Sequence, residues 1–337
     1  MTATEIKRKA LQLGYLGCGI IPPAALNEYT QQLDARVKSF PASKELYEPL
    51  YSMAHLPENA KSIIVCTMRY NRFKIPDSLK GLIGKYYLFD GRLPYSHGYR
   101  EKAEFEEYIK LGGINLLRSN IPARLSAAKA GLGKFGRNNF IFDHRHGSYV
   151  WIDVWAVDRE LDYDAVEENL LLAACNDECN KCIQACPTKA LSGDRSMDRG
   201  KCITQLTCYA KNALDENTRT QMGAWLYGCD ACQDVCPANK GKFRESEDYP
   251  LLAEIEVYLK PENILTMDED TYLNIIYPRF WYAGKDGMWL WKCNALRCLI
   301  NSGDKEYHGL VRKCCDHSDI RIKEVAEWGC RKLGITY

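Results

Sequence analysis

Eight of the sixteen cysteines are grouped closely enough to act together. One run reads Cys175-Asn-Asp-Glu-Cys179-Asn-Lys-Cys182-Ile-Gln-Ala-Cys186-Pro187, another reads Cys229-Asp-Ala-Cys232-Gln-Asp-Val-Cys236-Pro237, and Cys202 stands between them. A tetranuclear iron–sulfur cluster needs four thiolates; one short loop supplies three of them and the fourth comes from elsewhere. Where two such clusters lie side by side, the cysteine before proline ligates the neighbouring cluster. That rule assigns Cys175, Cys179, Cys182 and Cys236 to one cluster, and Cys186, Cys202, Cys229 and Cys232 to the other. The chemistry expected is electron transfer through two [4Fe-4S] clusters.

Other uses of these thiols fit less well. Met1-Thr-Ala-Thr-Glu-Ile-Lys runs straight into a helical pattern with no secretory signal, so a cytoplasmic setting is expected and disulfides are not. Structural zinc uses paired Cys-x2-Cys elements and gives no reason for a Cys-Pro at the end of each run. The x3 gap from Cys175 to Cys179 departs from the usual x2. Either Cys175 reaches in through a one-residue bulge or that site has three good cysteines; the bulge is favoured. The other eight cysteines lie in apolar stretches and are expected to be buried structural thiols.

Three segments must position these ligands. The length of 337 residues and 46% hydrophobic content allow two or three cored domains, and a net charge of +1 argues against a protein whose main task is gripping nucleic-acid backbone, while leaving room for a local basic patch. Residues 1–160 read as α/β. A buried strand is expected over Ala60–Met68, a helical pattern runs from Glu101 to Leu117, a second helix from Pro122 to Ala130, and a strand over Ser148–Val157. Residues 161–245 form the cluster-binding segment, organised by metal as much as by a core. Residues 246–337 read as all-helical, with apolar stripes at Leu296, Leu299, Ile300 and at Ile322, Val325, Ala326, Leu333, and with Asp316–Asp319 before the last helix as a cap. No apolar run is long enough to span a bilayer, so no membrane partner is expected.

In this order the parts resemble epoxyqueuosine reductases, the cobalamin- and iron–sulfur-dependent enzymes of queuosine formation in tRNA, and the related core of reductive dehalogenases. The resemblance rests on the strand Ala60–Met68, the block Lys129-Ala-Gly-Leu-Gly-Lys-Phe-Gly-Arg137-Asn138, Gly147-Ser-Tyr149, both cysteine runs and the tail Asp319–Trp328. It implies an α/β nitroreductase-like domain, a bacterial ferredoxin-like double-cluster domain and an all-α HEAT-like C-terminal segment. It also implies cobalamin over the sheet, approached by Gly131, Gly133, Gly136, Arg137 and Asn138, and a low-potential electron donor such as a ferredoxin or flavodoxin. Read on its own, Gly131-Leu-Gly133 only ends a helix.

The chain departs from epoxyqueuosine reductases at one point of chemistry. Those enzymes carry an aspartate proton donor upstream of the Ala-Gly-Leu-Gly block, but here the stretch is Leu116-Leu-Arg-Ser-Asn-Ile-Pro122. Neither Ser119 nor Asn120 has a pKa suited to a general acid. Ile121-Pro-Ala-Arg124 is closer to the dehalogenases, which use tyrosine, and Tyr86, Tyr95 and His97 are the candidate donors. Basic residues in the tail are interspersed with acids, so a solvated face is favoured over a tRNA grip. The expected function is a corrinoid-dependent reductase; the alternative is an electron-transfer protein serving a partner's corrinoid or flavin.

Overall fold

The computed structural model describes residues 1–89, 93–94, 96–176 and 178–336. Helix α1 (Ala3–Gln12) begins at a capping box: the Glu5 amide donates to Thr2 Oγ1, and Thr2 N donates to the Glu5 carboxylate at 2.7 Å. Ala3, Ile6 and Ala10 recur at helical spacing and are buried. Strand β1 (Gly17–Ile21) follows, then α2 (Tyr29–Ser39) and strand β2 (Ser62–Arg69). Helix α3 (Tyr99–Leu111) leads to a short edge strand β3 (Leu116–Leu117), and α4 (Ala123–Lys129) to a hairpin of β4 (Lys134–Phe135) and β5 (Ile141–Phe142). Strand β6 (Val150–Val157) completes an antiparallel sheet of order β1-β2-β6-β3.

The sheet is covered on both faces, which is why β2 reads as one continuous apolar run. Ile64, Cys66 and Met68 point into a core with Ile6, Phe105 and Ile109 of α1 and α3; Ile63 and Val65 point into one with Leu33 of α2 and Leu125 and Ala128 of α4. In β6, Trp155 and Val157 join the first core and Ala156 the second. The helical pattern from Glu101 to Leu117 overruns the helix. Gly112 and Gly113 end α3, Gly113 with φ +73°, and Leu116–Leu117 pairs with Val157 and Ala156 instead.

Beyond β6, residues 161–172 return across the sheet layer. Ile20 and Asp164 exchange two bonds of 2.8 Å, and Phe135 N donates to Leu170 O while its carbonyl accepts from Leu172 N. The chain then forms α5 (Lys181–Ala185), α6 (Ile203–Tyr209) and α7 (Ala231–Asp234) around the cysteine loops. The C-terminal part is helical, with α8 (Met288–Ser302), α9 (His308–Lys313) and α10 (Ile320–Leu333). Asp319 caps α10 by accepting from Arg321 N at 3.0 Å, and Gly334 closes it at φ +68°. Leu296, Ile300, Ile322, Val325 and Ala326 pack together there.

The parts are not independent along the chain. Phe73, Leu79, Leu88 and Phe89 leave the α/β layer to share one core with Tyr249, Leu259, Tyr272 and Trp291 of the C-terminal part. Arg297 is almost wholly buried and donates to the carbonyls of Gly223 (2.7 Å) and Trp225, so α8 is tied to the loop before the second cysteine run. Trp291 stacks on Tyr227 at 4.8 Å. These residues pack; they are not a nucleic-acid platform. Among the described residues no helix is long and apolar enough to cross a membrane.

The β4–β5 hairpin gives the first prediction. A Cβ at Gly133 would lie 2.4 Å from Ile141 Cγ2 and 3.0 Å from Phe142 O. Gly133→Val should therefore destabilise the protein by about 1–3 kcal/mol, seen as a fall of several degrees in Tm. An unchanged Tm would contradict the clash.

Candidate functional site

All sixteen cysteines are free thiols, and the eight in question separate into two sets. Burial raises the Cys182 thiol to about 11, with further upward pressure from Cys236, Cys175 and Cys179. Burial likewise raises Cys236, whose nearest thiol neighbours are Cys175 and Cys179. In the other set, burial raises Cys229, and Cys202 and Cys186 push it the same way; Cys186 does so to Cys202. Cys232 is held up by burial, then by Cys229 and Cys202. Cys236 thus lies among thiols of the first run, and Cys186 beside Cys202 and Cys229. Desolvation opposes ionising Cys182, Cys229 and Cys232 alone, and iron beside them would favour the thiolates.

Local structure explains how the loops are held. Cys202 is the N-cap residue of α6, with extended backbone that turns its side chain back toward Cys186. Cys186 Sγ accepts from Ala190 N at 3.2 Å, a bond that favours negative sulfur. Six of the remaining cysteines, Cys66, Cys208, Cys293, Cys298, Cys315 and Cys330, are buried in apolar cores; Cys18 and Cys314 are half-buried.

Two residues of the block expected to approach a macrocycle, Arg137 and Asn138, clasp the cluster loops. Arg137 Nε donates to Gly193 O at 2.8 Å, and Nη1 donates to the carbonyls of Cys179 (3.1 Å) and Asn176 (3.3 Å). Its guanidinium fastens the first loop. Gly131 ends α4 at φ +70° with nothing near its missing Cβ, Gly133 is needed by the hairpin, and Gly136 lies under Phe142 and Asn138. Asn138 is buried, donates to Cys232 O at 3.3 Å and borders a cavity. Of the five residues, Asn138 alone lines that cavity.

The cavity is about 410 Å³. All four thiols of the second set line it, with Val150 and Ile152 of β6 as floor, Arg124 and Ile141 on one side, and Tyr86, Tyr87, Tyr209 and Tyr282 on another. It therefore runs from the second cluster's place onto the end of the sheet. A buried polar net supports this wall. Ser148 Oγ donates to Gln233 Oε1 (2.8 Å) and accepts from Asn239 Nδ2 (2.9 Å); Gln233 Nε2 donates to Asp230 Oδ1 (2.9 Å). Lys85 bonds Asp230 and Asp234, joining the tyrosine-bearing stretch to the second run. Burial raises the Asp230 carboxyl while Lys85 draws it down. Gly147 is part of the same net: its φ is +67°, and a Cβ would meet Asn239 Oδ1 at 2.2 Å.

Tyr86 alone among the three candidate donors borders the cavity. His97 stacks on Phe73 at 5.5 Å and bonds Glu101 at 3.3 Å, away from the cavity walls. Tyr95 lies outside the described residues. Sequence reasoning missed Arg199, Tyr209, Tyr282 and Gln233, because only folding brings them beside the second run.

With this geometry in view, comparison with known proteins is decisive. Residues 174–239 match the family model described as a 4Fe-4S double cluster binding domain. An epoxyqueuosine reductase of Cellulophaga algicola is 30% identical over 258 residues, which cover 72% of this chain and 80% of that protein. The chain belongs to the epoxyqueuosine reductase family. The structure of epoxyqueuosine reductase from Streptococcus thermophilus superposes with a TM-score of 0.76 at 21% identity, covering 99% of this chain and 90% of that one. A crystal structure of epoxyqueuosine reductase with an epoxyqueuosine-modified tRNA-Tyr stem loop superposes at 0.74 and 23% identity, covering 98% and 90%. These two establish the common fold. As a member of this family the chain is an oxidoreductase carrying two [4Fe-4S] clusters.

The ligand sets are tested by iron. The intact protein should hold about eight irons per chain. Cys202→Ser and Cys182→Ser should each lose about half, with the loss falling on different clusters, while Cys208→Ser should keep all of it. Full iron and an unaltered spectrum in Cys202→Ser would contradict the assignment.

Proposed function

We propose that the chain is a corrinoid-dependent reductase of this family in which the acid that protonates substrate is not an aspartate. The observation that carries this reading is the shared wall: Cys186, Cys202, Cys229 and Cys232 border the same cavity as the floor of the sheet. An electron leaving that cluster has a ligand-sized space directly beside it. The apolar residues Val150, Ile152 and Ile141 suit a broad flat ring, and the side-chain amides of Asn138 and Gln205 border the same space. A corrinoid held there supplies a cobalt centre that takes electrons singly from the cluster and delivers them to substrate. On this reading the sheet layer is nitroreductase-like and the C-terminal helices HEAT-like, in segments close to 1–160, 161–245 and 246–337. A low-potential ferredoxin or flavodoxin is the natural donor to the first cluster.

The protein's own residues then bind, orient and protonate. Arg137 and Asn138 hold both cluster loops against the sheet, which fixes the cluster-to-cavity separation. Tyr70, Tyr86, Tyr87, Tyr209 and Tyr282 line the cavity and limit water there. Residues 116–122 include no carboxylic acid, so Tyr86 is the proposed proton donor. Burial holds the neighbouring Tyr87 phenol far above the ordinary range, which makes it the poorer acid.

The basic residues of the tail favour a solvated face over a tRNA grip. Arg321 pairs with Asp319 at 2.5 Å and lies 3.9 Å over Trp289, and Arg331 pairs with Glu216 at 2.7 Å. We therefore expect slow turnover on epoxyqueuosine-containing tRNA. Positioned general acids contribute about 10²–10⁴-fold. In single-turnover assays the loaded protein should run at least about 100-fold behind an authentic epoxyqueuosine reductase, and Tyr86→Phe should slow it by about 100-fold more. Equal rates for the two enzymes would sink the substrate claim, and an unchanged Tyr86→Phe rate would sink the donor. A protein with full iron that takes up no corrinoid would instead be an electron-transfer partner.

A further inference from the structure

The stretch that carries Tyr86 meets the second cysteine run at Lys85. Leu226 N donates to Leu82 O at 2.7 Å and Gly84 N to Tyr227 O at 2.8 Å, so residues 82–84 lie beside the approach to Cys229. The fit is close: a Cβ on Gly84 would stand 3.0 Å from Cys229 N. Lys85 then opens the short helix Lys85–Leu88. Its amide donates to Asp230 Oδ2 at 2.6 Å, and its ammonium meets the same oxygen at 3.3 Å and Asp234 Oδ1 at 2.5 Å. One residue thus answers both carboxylates of the run from Cys229 to Cys236.

Those carboxylates belong to the ligand loop itself. Asp230 follows Cys229 directly, its side chain is only 3% exposed, and Gln233 Nε2 donates to its other oxygen at 2.9 Å. Burial raises the Cys229 and Cys232 thiols most, and the charge of Asp230 pushes both the same way. Asp234 stands between Cys232 and Cys236 and is nearly half exposed. The Lys85 side chain is 20% exposed and its ammonium lies 5.7 Å from the ring centre of Phe243, so salt and water screen it only in part. Arg124 and Arg199 are the cations near Cys202 of the same set.

An iron–sulfur cluster gains one negative charge on reduction, and its potential follows the net charge and hydrogen bonding around it. Two carboxylates beside one ammonium leave one net negative charge against this loop. Without the ammonium there would be two, and added negative charge in a partly buried site opposes reduction. The Lys85 amide, which also anchors the helix start, is untouched by a change of side chain. Charge can therefore be altered while the turn bearing Tyr86 stays bonded.

We propose that Lys85 sets the reduction potential of the second cluster by offsetting the two carboxylates of its ligand loop. The lysine acts through Asp230 and Asp234, as a positioning residue for the electron that leaves toward the main cavity. The inference rests on the assignment of Cys229 and Cys232 to the second cluster and holds whichever ligand fills the cavity.

The test is a redox titration of the full iron-loaded chain followed by electron paramagnetic resonance, with iron content as the folding control. The reduction step missing from Cys202→Ser identifies the second cluster. In Lys85→Gln that step should move to lower potential by about 10-fold in the reduction equilibrium, about 59 mV for one electron, while the other step stays in place. Lys85→Arg should keep the wild-type potential. Asp234→Asn should move the step the opposite way, by less, because Asp234 is the more exposed carboxylate. An unmoved step in Lys85→Gln with full iron, or an equal shift of both steps, would overturn the proposal. Should Lys85→Gln fail to hold iron, Asp234→Asn decides: an upward shift of the second step alone supports the charge balance, and no shift overturns it. A Cys202→Ser protein that keeps both steps would overturn the ligand assignment, and this inference with it.

Discussion

Negative sulfur has to be buried beside a space for a ligand, and most of the molecule is arranged around that constraint. A thiolate far from water is unfavourable unless a metal or hydrogen-bond donor stands next to it. Here the second set of thiols forms one wall of the main cavity, so under the proposed assignment the same four groups hold iron and leave a face open. The cost of that exposure is met by rigid backing. Ser148, Gln233, Asn239 and Asp230 are buried and bonded to one another, and Lys85 ties the net to the stretch bearing the tyrosines.

The α/β layer works as an anvil for the cluster loops. Strand β6, paired along its length with β2 in the interior of the sheet, ends at the cavity floor. Arg137 and Asn138 then reach from the hairpin region to one loop each. The helical part contributes through packing: Arg297 fixes the segment leading to Cys229, and Trp291 with Tyr227 fills the space beneath it. A ferredoxin-like segment with little core of its own is thereby held by neighbours on two sides.

What was legible in the sequence follows from how local each requirement is. Cluster ligation demands thiols at fixed short spacing, so a double-cluster segment was legible, and residues 174–239 match such a domain. Strands β2 and β6 announce themselves by β-branched and aromatic runs because both sheet faces are covered. The helix over Glu101 was overextended, since the apolar spacing of Leu116 and Leu117 persists past two glycines that end it. The role of Arg137 was not legible: its partners are backbone carbonyls, which leave no trace in side-chain pattern. Gly133 likewise answers to Ile141 across a hairpin rather than to a ligand.

The central claim is that a redox ligand occupies the cavity against the second cluster. It is tested most directly by electron paramagnetic resonance of the reconstituted, partly reduced protein. Cobalt(II) in that cavity should show a signal broadened by magnetic interaction with the neighbouring reduced cluster, and the broadening should vanish in Cys202→Ser while it persists in Cys208→Ser. A sharp cobalt(II) signal, unaffected by reduction of either cluster, would contradict the account.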